Sequence, residues 1–296
     1  MKRTPDMSTF PGVYKARTLA LVGALVASVG LGVVGNTAAV SSPAVAAAGP
    51  SATCSVKPTV VLVHGAFAGT SSWNGEVERL KRDGYAVRAF ANPLRGLTGD
   101  AADLADFLKA IPGPIVLVGH SYGGSVITNA AAGNENVKAL VYVDAFAPAV
   151  GESAAQLKGK GSALGAPANT LYDRVPYSGA PTGDAELYLK QQVFLKSFGP
   201  DLPDATARLL WAGQRPATIS ALTAPSKAAA WQTIPSWYVI GTADKIITAQ
   251  SQTAMAQRAK SKIVQVAGGS HLTLISHPDQ VTDQITAAAR TVCAHD

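Results

Sequence analysis

The chain has 296 residues, of which 47% are hydrophobic and 15% are charged, with 28 glycines, 18 prolines and 2 cysteines. These values exclude a disordered chain, a collagen-like repeat and a small disulfide-built protein, and the length suits one α/β domain with an insertion. The net charge is +6, but no cluster of basic residues stands beside aromatic ones, so we expect no nucleic acid or anionic membrane as partner.

Residues 1–46 are predicted to be a secretion signal peptide. Lys15 and Arg17 precede an apolar run over Leu19–Val34, and small residues over Ala44–Ala48 follow it. This order is typical of a signal sequence with an A-x-A cleavage site. Glycines in the run and small residues after it favour cleavage over retention as a membrane anchor. We therefore expect a secreted or extracytoplasmic protein with no stable membrane association after cleavage.

Two cysteines, Cys54 and Cys293, lie near the ends of the predicted mature chain. In an exported protein this placement favours one disulfide bond that ties the termini together. Two separate buried thiols are the alternative, since a sequence does not show whether the two Cα atoms come within bonding distance.

Short runs rich in β-branched residues alternate along residues 47–296 with alanine-rich segments of helical spacing. Each run is hydrophobic at successive positions, which is typical of parallel strands covered by helices on both faces. The predicted strands are Thr59–Val63, Ala86–Ala89, Ile115–Val118, Ala139–Val143, Ser236–Ile240 and Lys262–Val266. The predicted helices are Ser72–Asp83, Asp100–Ala110, Ser125–Gly133, Ala249–Arg258 and Pro278–Cys293. The alternation predicts an α/β fold with a doubly wound, mostly parallel sheet.

The alternation stops between Pro148 and Pro235, where glycine, proline and aromatic residues are more frequent. Helix-like pieces lie around Ala185–Ser197 and Asp204–Trp211. Because an insertion of this length in a regular α/β pattern is usually functional, residues 149–235 are predicted to form a helical lid.

The motif G-H-S-Y-G over residues 119–123 follows the predicted strand Ile115–Val118 and precedes a predicted helix. This is the G-x-S-x-G nucleophile elbow in its strand-to-helix context, with Ser121 as the nucleophile. The glycines leave room where side chains would collide, and the N-terminal amides of the helix favour developing negative charge. A glycine-rich turn that contains serine by chance is the alternative.

A second loop, over His64–Gly69, follows the first strand. At this place in the chain a loop supplies the second backbone donor of an oxyanion hole, so we assign the donors to the amides of Ala66 and Tyr122. An ordinary turn that ends the strand is the alternative. We expect His64 to be a structural histidine that holds the loop.

A nucleophilic serine needs a base and an acid, expected in the chain order Ser, Asp or Glu, His. Asp244 follows the strand that ends at Ile240, and His271 follows the last strand. Both residues are therefore predicted to meet Ser121 at the carboxyl edge of the sheet. Asp144 also ends a strand and is the alternative acid, but the spacing favours Asp244.

These residues together resemble the α/β-hydrolase superfamily over essentially all of the chain after the signal. Within it, His64–Trp73, Asp144–Pro148 and Ser270–Leu274 are similar to the hydroxynitrile lyase and plant methylesterase branch and its bacterial esterase relatives. The resemblance implies an α/β-hydrolase fold with the lid inserted between strands 6 and 7. The lyases have threonine and lysine at the positions of Gly65 and Leu272, so the resemblance favours ester hydrolysis over cyanohydrin cleavage.

The expected activity is that of a serine esterase with the catalytic residues Ser121, Asp244 and His271, acting on a small-molecule ester without metal or organic cofactor. Small to medium hydrophobic carboxylic esters are expected, with Phe67 and Trp211 as substrate-binding residues. A hydroxynitrile-lyase-like or other non-hydrolytic enzyme, or a ligand-binding protein on the same fold, is the alternative. The aromatic residues of the insertion either line an apolar pocket or form its own small core, and they are Tyr188, Phe194, Phe198, Trp211 and Trp231.

Overall fold

The computed structural model describes residues 57–293. The predicted signal peptide and Cys54 lie outside the described residues, so the signal and the disulfide between Cys54 and Cys293 stay predictions. Within residues 57–293, no helix is long and apolar enough to cross a membrane.

Six parallel strands form the main sheet, and three further strands form a separate antiparallel sheet. In chain order the strands are β1 (Thr59–Val63), β2 (Val87–Phe90), β3 (Ile115–His120), β4 (Val137–Val143), β5 (Tyr172–Val175), β6 (Glu186–Leu189), β7 (Ala217–Thr218), β8 (Ser236–Gly241) and β9 (Lys262–Val266). The main sheet has the order β2-β1-β3-β4-β8-β9, and β5-β6-β7 belong to the insertion. The predicted α/β-hydrolase fold class is confirmed.

Helices cover the main sheet from two sides, and five others belong to the insertion. They are α1 (Asn74–Arg82), α2 (Leu97–Lys109), α3 (Tyr122–Ala130), α4 (Ala154–Leu157), α5 (Ala168–Leu171), α6 (Gln191–Val193), α7 (Asp204–Ala212), α8 (Ile219–Thr223), α9 (Ala249–Arg258), α10 (Thr273–Ser276) and α11 (Pro278–Cys293). From β1 the chain moves through α1 toward one edge, whereas the connections through α2, α3 and α9 move toward the other edge. Right-handed crossovers therefore place α1 on one face and these three helices on the opposite face, and α11 packs against α1.

The reversal of direction between β1 and β3 creates a crevice at the carboxyl ends of these neighbouring strands. Ligands of open α/β sheets bind at such a switch point. The loop that begins at His64 leaves β1 there, and Ser121 directly follows β3. Strand order alone thus brings the two predicted oxyanion loops together.

Burial of the strands follows their place in the sheet. The inner strands β1, β3, β4 and β8 are almost entirely buried, as continuous hydrophobicity predicts. The edge strands β2 and β9 expose Arg88, Lys262 and Gln265, and charged side chains on an edge oppose pairing with another chain.

The insertion, residues 149–235, differs from its prediction in two respects. It lies between the fourth and fifth strands of the described main sheet, β4 and β8, so a position between strands 6 and 7 is not confirmed. It also contains the antiparallel sheet in addition to helices. The prediction of a helix over Ala185–Ser197 is wrong for the first part of that segment, which forms strand β6. The rest forms α6 and a π-helix over Phe194–Phe198. Leu187 and Leu189 alternate with less buried neighbours, which is a strand pattern.

Both ends of the insertion are held near the carboxyl end of β4. The Trp231 indole N–H donates to the carbonyl oxygen of Pro148 at 2.8 Å. Arg258 of α9 donates to the carbonyl oxygen of Ala147 at 2.9 Å and pairs with Glu152 at 2.7 Å. The insertion therefore starts and ends beside one cluster of contacts.

Two helical glycines differ in what an added methyl group would meet, so alanine substitutions are expected to change stability in opposite directions. At Gly99 in α2, nothing lies within 4 Å of an added Cβ, and Gly99→Ala should stabilise the protein by about 0.5–1 kcal/mol. At Gly124 in α3, the Cβ would overlap the carbonyl oxygen of Phe146, and Gly124→Ala should destabilise it by about 1–3 kcal/mol. Urea unfolding of both variants measures the two changes in the free energy of unfolding. If both substitutions stabilised the protein, or both destabilised it, this packing would be contradicted.

Candidate active site

Ser121 occupies a strained turn between β3 and α3, with φ 53° and ψ −122°. Non-glycine residues rarely adopt a positive φ, and they keep it only when surrounding contacts hold them. Here the Ser121 N–H donates to Val143 at 3.2 Å, and its carbonyl oxygen accepts from the amides of Gly124 and Phe146 at 2.9 and 3.1 Å. Three backbone hydrogen bonds therefore hold the conformation that the elbow motif predicts.

The glycines of the elbow are required by close backbone approach. A Cβ on Gly119 would lie 2.7 Å from the backbone of Gly123. A Cβ on Gly123 would overlap the carbonyl oxygen of Val63 and lie 2.9 Å from that of His64. Glycine at both positions thus lets α3 begin directly against the end of β1.

The structure brings Ser121, His271 and Asp244 into one hydrogen-bonded chain. The Ser121 Oγ lies 2.8 Å from Nε2 of His271, and Nδ1 of His271 lies 2.8 Å from Oδ2 of Asp244. Because a carboxylate only accepts, Nδ1 carries the proton and Nε2 is left to accept the Ser121 hydroxyl proton. The arrangement is buried, with His271 fully inaccessible to solvent.

The Asp244 carboxylate is held by its own loop and by α9. Its Oδ1 accepts from the amides of Ile246 and Ile247 at 2.7 and 3.1 Å, and Oδ2 accepts from Nε2 of Gln252 at 2.8 Å. Donors aimed at both oxygens fix the orientation of the carboxylate toward His271.

Asp144, the alternative acid, makes no hydrogen bond to His271 in the described structure. It follows β4 with φ 44° and is fully buried. Its carboxylate accepts from the amides of Gly241 and Thr273 instead. Burial first, and then the negative charge of Asp244, raise the pKa of Asp144 to about 7.

The two predicted oxyanion donors are free to bind a ligand. Ala66 and Ser121 line one cavity, and Tyr122 begins α3, where an amide has no partner within the helix. In the described part of the chain, neither the Ala66 nor the Tyr122 amide has a hydrogen-bond acceptor. Both N–H groups are therefore available beside Ser121.

Sequence reasoning missed two residues that support the elbow. The Tyr122 hydroxyl donates to the buried carboxylate of Asp100 at 2.7 Å, and Asp100 also accepts from the amide of Arg95. Burial raises the pKa of Asp100, and the hydrogen bond from Tyr122 opposes this rise. The His120 Nε2 donates to the carbonyl oxygen of His271 at 2.8 Å, and burial lowers the pKa of His120 well below its usual range. Only the position of His120 inside the motif could have signalled these contacts.

His64 lies in the loop after β1, as a buried neutral side chain. Its Nδ1 lies 3.0 Å from the carbonyl oxygen of Gly65, and its own carbonyl accepts from Asn92 at 3.0 Å. Burial lowers the pKa of His64 to about 4. It does not contact the candidate catalytic residues through a hydrogen bond.

A cavity of about 80 Å³ lies against Ser121. Its walls are mostly apolar, and they include Phe67 and Phe198, with Lys158 as the charged residue. A neighbouring cavity of about 110 Å³ shares Phe67 and Phe198 and adds Phe194 and Leu272. The rings of Phe67 and Phe198 lie 6.1 Å apart, and the Phe198 ring also packs edge-on against His271 at 4.9 Å.

The predicted substrate-binding residues are thus divided by the structure. Phe67 lines the cavity of Ser121, whereas Trp211 lines neither cavity and donates its indole N–H to the carbonyl oxygen of Leu189 at 2.8 Å. Tyr188 and Trp231 also line neither cavity. The indole N–H of Trp211 holds α7 to β6, and a substrate-binding role for Trp211 stays a prediction.

Within residues 57–293, no group of three or more His, Cys, Asp or Glu side chains could hold a metal ion. The site is therefore described by its hydrogen bonds and cavity alone.

A buried serine, histidine and aspartate chain at the carboxyl edge of such a sheet is the arrangement of an α/β hydrolase. The alpha/beta hydrolase family model matches residues 60–284. The chain belongs to this family.

Two curated relatives are hydrolases by name. An "alpha/beta hydrolase nvfD" of Aspergillus novofumigatus is 28% identical over 261 residues, which is 79% of this chain and 97% of that protein. A "carbendazim hydrolyzing esterase" of Nocardioides sp. is 34% identical over 106 residues, 31% of this chain and 44% of that protein. These relatives support a hydrolase.

Solved structures with the same fold include an extracellular α/β-hydrolase of a Paenibacillus species, with TM-score 0.65 and 22% identity over 78% of this chain and 98% of that one. Polyneuridine aldehyde esterase has TM-score 0.66 and 18% identity, covering 78% and 99% of the two chains. A pyrethroid hydrolase of Sphingobium faniae has TM-score 0.61 and 20% identity, covering 80% and 99%. At these identities the likeness shows the fold.

Removing the Tyr122 hydroxyl should destabilise the protein by about 1–3 kcal/mol, because Tyr122→Phe takes away the side-chain donor of the buried Asp100 carboxylate and leaves it with backbone amides alone. The pKa of folded Asp100 should rise further above its unfolded value. Stability from such a group is lost as pH rises through the folded pKa, so the loss should be larger at pH 8 than at pH 5.

Tyr142→Phe is the matched control, since this equally buried hydroxyl pairs with neutral Thr128 at 2.8 Å. Its cost should be about 1 kcal/mol and independent of pH over that range. Chemical unfolding at the two pH values measures both variants, and the same pH dependence for both would contradict a charged partner at Tyr122.

Proposed function

We propose that the protein is a secreted serine hydrolase that cleaves small to medium hydrophobic carboxylic esters through an acyl-enzyme on Ser121. The observation that carries the proposal is the chain of 2.8 Å contacts from the Ser121 Oγ through His271 to Asp244. Oxygen nucleophiles are weak at neutral pH, and an oriented imidazole activates them. The two free amides beside Ser121 add the second requirement of acyl transfer, which is a site for an oxyanion.

The reaction follows from this geometry. Nε2 of His271 takes the hydroxyl proton as the Ser121 Oγ attacks the ester carbonyl, and the Ala66 and Tyr122 amides donate to the oxygen that becomes negative. Loss of one such donor typically raises the barrier by about 3 kcal/mol. His271 then gives the proton to the leaving alcohol. Water, activated by His271 in the same way, attacks the acyl-enzyme and releases the acid.

The size of the substrate is limited by the walls around Ser121. A cavity of about 80 Å³ has room for only a few water molecules. Its apolar walls favour a short hydrocarbon group on one side of the ester. A longer group requires the Phe67 and Phe198 rings to separate, which would join the second cavity to the first.

The glycine at position 65 favours hydrolysis over the lyase alternative. A Cβ at this position would lie 2.6 Å from the Cβ of Ser121 and 2.8 Å from the carbonyl oxygen of His120. A threonine, which the lyases carry there, would need the elbow to move. Leu272 follows His271 where the lyases have lysine, so the site also lacks their charged group.

Export remains part of the proposal. The signal pattern of residues 1–46 supports it, and the Paenibacillus relative is described as extracellular. Sequencing the N-terminus of protein collected from culture medium tests it: a start near Ala47 is expected, and a protein that stays within the cell with residue 1 intact would overturn it.

Ser121→Ala should reduce kcat/KM for p-nitrophenyl butyrate by at least about a thousandfold, because it removes the nucleophile. Ser125→Ala is the matched control: Ser125 is a buried serine of α3, the helix that follows Ser121, and its hydroxyl has no partner within the described residues, so its variant should keep wild-type activity. Equal inactivity of wild type and Ser121→Ala toward acetate, butyrate and octanoate esters would reject the proposal.

Phe198→Ala should shift the preference from acetate toward octanoate esters, because it removes the wall between the two cavities. The expected change in the octanoate to acetate ratio of kcat/KM is about tenfold or more, as a few methylenes contribute about 1–3 kcal/mol. Phe194→Ala, which enlarges only the second cavity, should leave the ratio close to wild type. A similar ratio in both variants would show that Phe198 does not separate the cavities.

A further inference from the structure

The Asp144 carboxylate bridges the two segments that carry Asp244 and His271. Its Oδ1 accepts from the amide of Gly241 at 2.7 Å, and its Oδ2 accepts from both the amide, at 3.2 Å, and the hydroxyl of Thr273. Gly241 is the last residue of β8, three positions before Asp244, and Thr273 opens α10, two positions after His271. One side chain, directly after the end of a third strand, therefore contacts both segments.

This bridge lies where the sheet itself stops holding the two segments. The β8–β9 pairing ends at Gly241 and Val266, and beyond it Asp244 and His271 lie on loops. Two amides after β8 continue the contact: Thr242 donates to Val266 at 3.0 Å, and Ala243 donates to Gly269 at 2.9 Å. A productive hydrogen bond between an acid and a base has to be held within about 0.5 Å, and Asp144 supplies the side-chain part of that support.

The backbone conformation of Asp144 fixes the direction of its side chain. Its φ of 44° is left-handed, a conformation that aspartate tolerates better than most residues. Its amide donates to Val239 of β8 at 3.0 Å. The main chain is thus turned so that the carboxylate points along the sheet edge, toward Gly241 and Thr273.

Charge gives Asp144 a second effect on the same site. In the described residues no lysine or arginine forms an ion pair with it. The titratable groups that act on it are Asp244, which disfavours its negative charge, and His271, which favours that charge, while buried Tyr238 has a pKa well above its usual range and stays neutral. A proton on His271 and a negative charge on Asp144 therefore stabilise each other.

We propose that Asp144 is a positioning residue of this site: its carboxylate holds the Asp244 loop and the His271 segment together, and its charge favours the imidazolium that His271 forms during ester cleavage. This inference rests on the proposed function. Asp144 takes no proton from the substrate or from Ser121. The proton removed from the Ser121 hydroxyl stays on Nε2 of His271 until the alcohol leaves.

Asp144→Asn tests the inference, because it keeps the shape of the side chain while removing the charge and placing an NH₂ group among N–H donors. We expect kcat for p-nitrophenyl butyrate to fall about 10- to 100-fold with KM within about twofold. The acid limb of the pH profile of kcat/KM should move to lower pH, by less than one pH unit because Asp144 with its pKa of about 7 is partly neutral over that range, since the imidazolium loses what remains of a nearby negative charge. Wild-type kcat with an unmoved acid limb would overturn the inference.

Variants of Thr273 separate the effect of the hydrogen bonds to Asp144 from the effect of its charge. Thr273→Val removes one donor and keeps the carboxylate, so kcat should fall by less than in Asp144→Asn, while Thr273→Ser should restore wild-type kcat. Titration with a fluorophosphonate counts the reactive sites, so a smaller active fraction is not mistaken for a slower enzyme. Should Asp144→Asn fail to fold in thermal unfolding, unchanged kcat in Thr273→Val would overturn the positioning role.

A measurement that does not depend on ester hydrolysis separates a failure of this inference from a failure of the proposed function. In Ser121→Ala protein with labelled histidines, NMR follows the protonation of the His271 ring as pH is lowered. Adding Asp144→Asn should move the midpoint of that titration to lower pH, and an unmoved midpoint would overturn the effect of charge. Failure of wild type to hydrolyse any ester would instead reject the proposed function and leave this result standing.

Discussion

The left-handed backbone of Ser121 is the constraint on which the rest of the site depends. A serine at φ 53° is unfavourable by itself, and such strain persists only where neighbours hold it. Here β4, the loop after β4 and the first turn of α3 each contribute a backbone hydrogen bond. The close approach of β1 to α3 requires glycine at position 123, and the tight turn from β3 into α3 requires glycine at position 119. The same turn leaves the Tyr122 amide without a partner inside the helix, so the proposed nucleophile and one proposed oxyanion donor come from one turn.

Three buried aspartates stabilise this arrangement at different points. Asp100 holds the Tyr122 side chain, Asp244 holds the His271 ring, and Asp144 joins the segments that carry Asp244 and His271. Each carboxylate accepts several hydrogen bonds, which offsets part of the cost of burying charge. Their electrostatic effects are large because little water is present to screen them. Three buried carboxyl groups thus support the candidate site around Ser121 and His271.

The insertion determines how much space the reacting atoms have. Its π-helix, Phe194–Phe198, carries the Phe198 ring to within 4.9 Å of the His271 ring. π-Helical turns are uncommon and often occur at functional sites. The same ring is a wall of both cavities. The walls of both cavities and the surroundings of the His271 ring therefore share Phe198, a side chain that the sheet does not contribute.

Local pattern in the sequence determined the parallel sheet, the elbow and the loops that end at Asp244 and His271, because hydrophobic periodicity and strand-end motifs involve neighbouring residues. Strands β1 and β9 and helices α9 and α11 were predicted to the residue. Only the tertiary structure decided that β6 is a strand, that Asp244 rather than Asp144 bonds His271, and that Phe198 rather than Trp211 lines the cavity. These outcomes depend on contacts between segments far apart in the chain, where pairing and packing override local propensity.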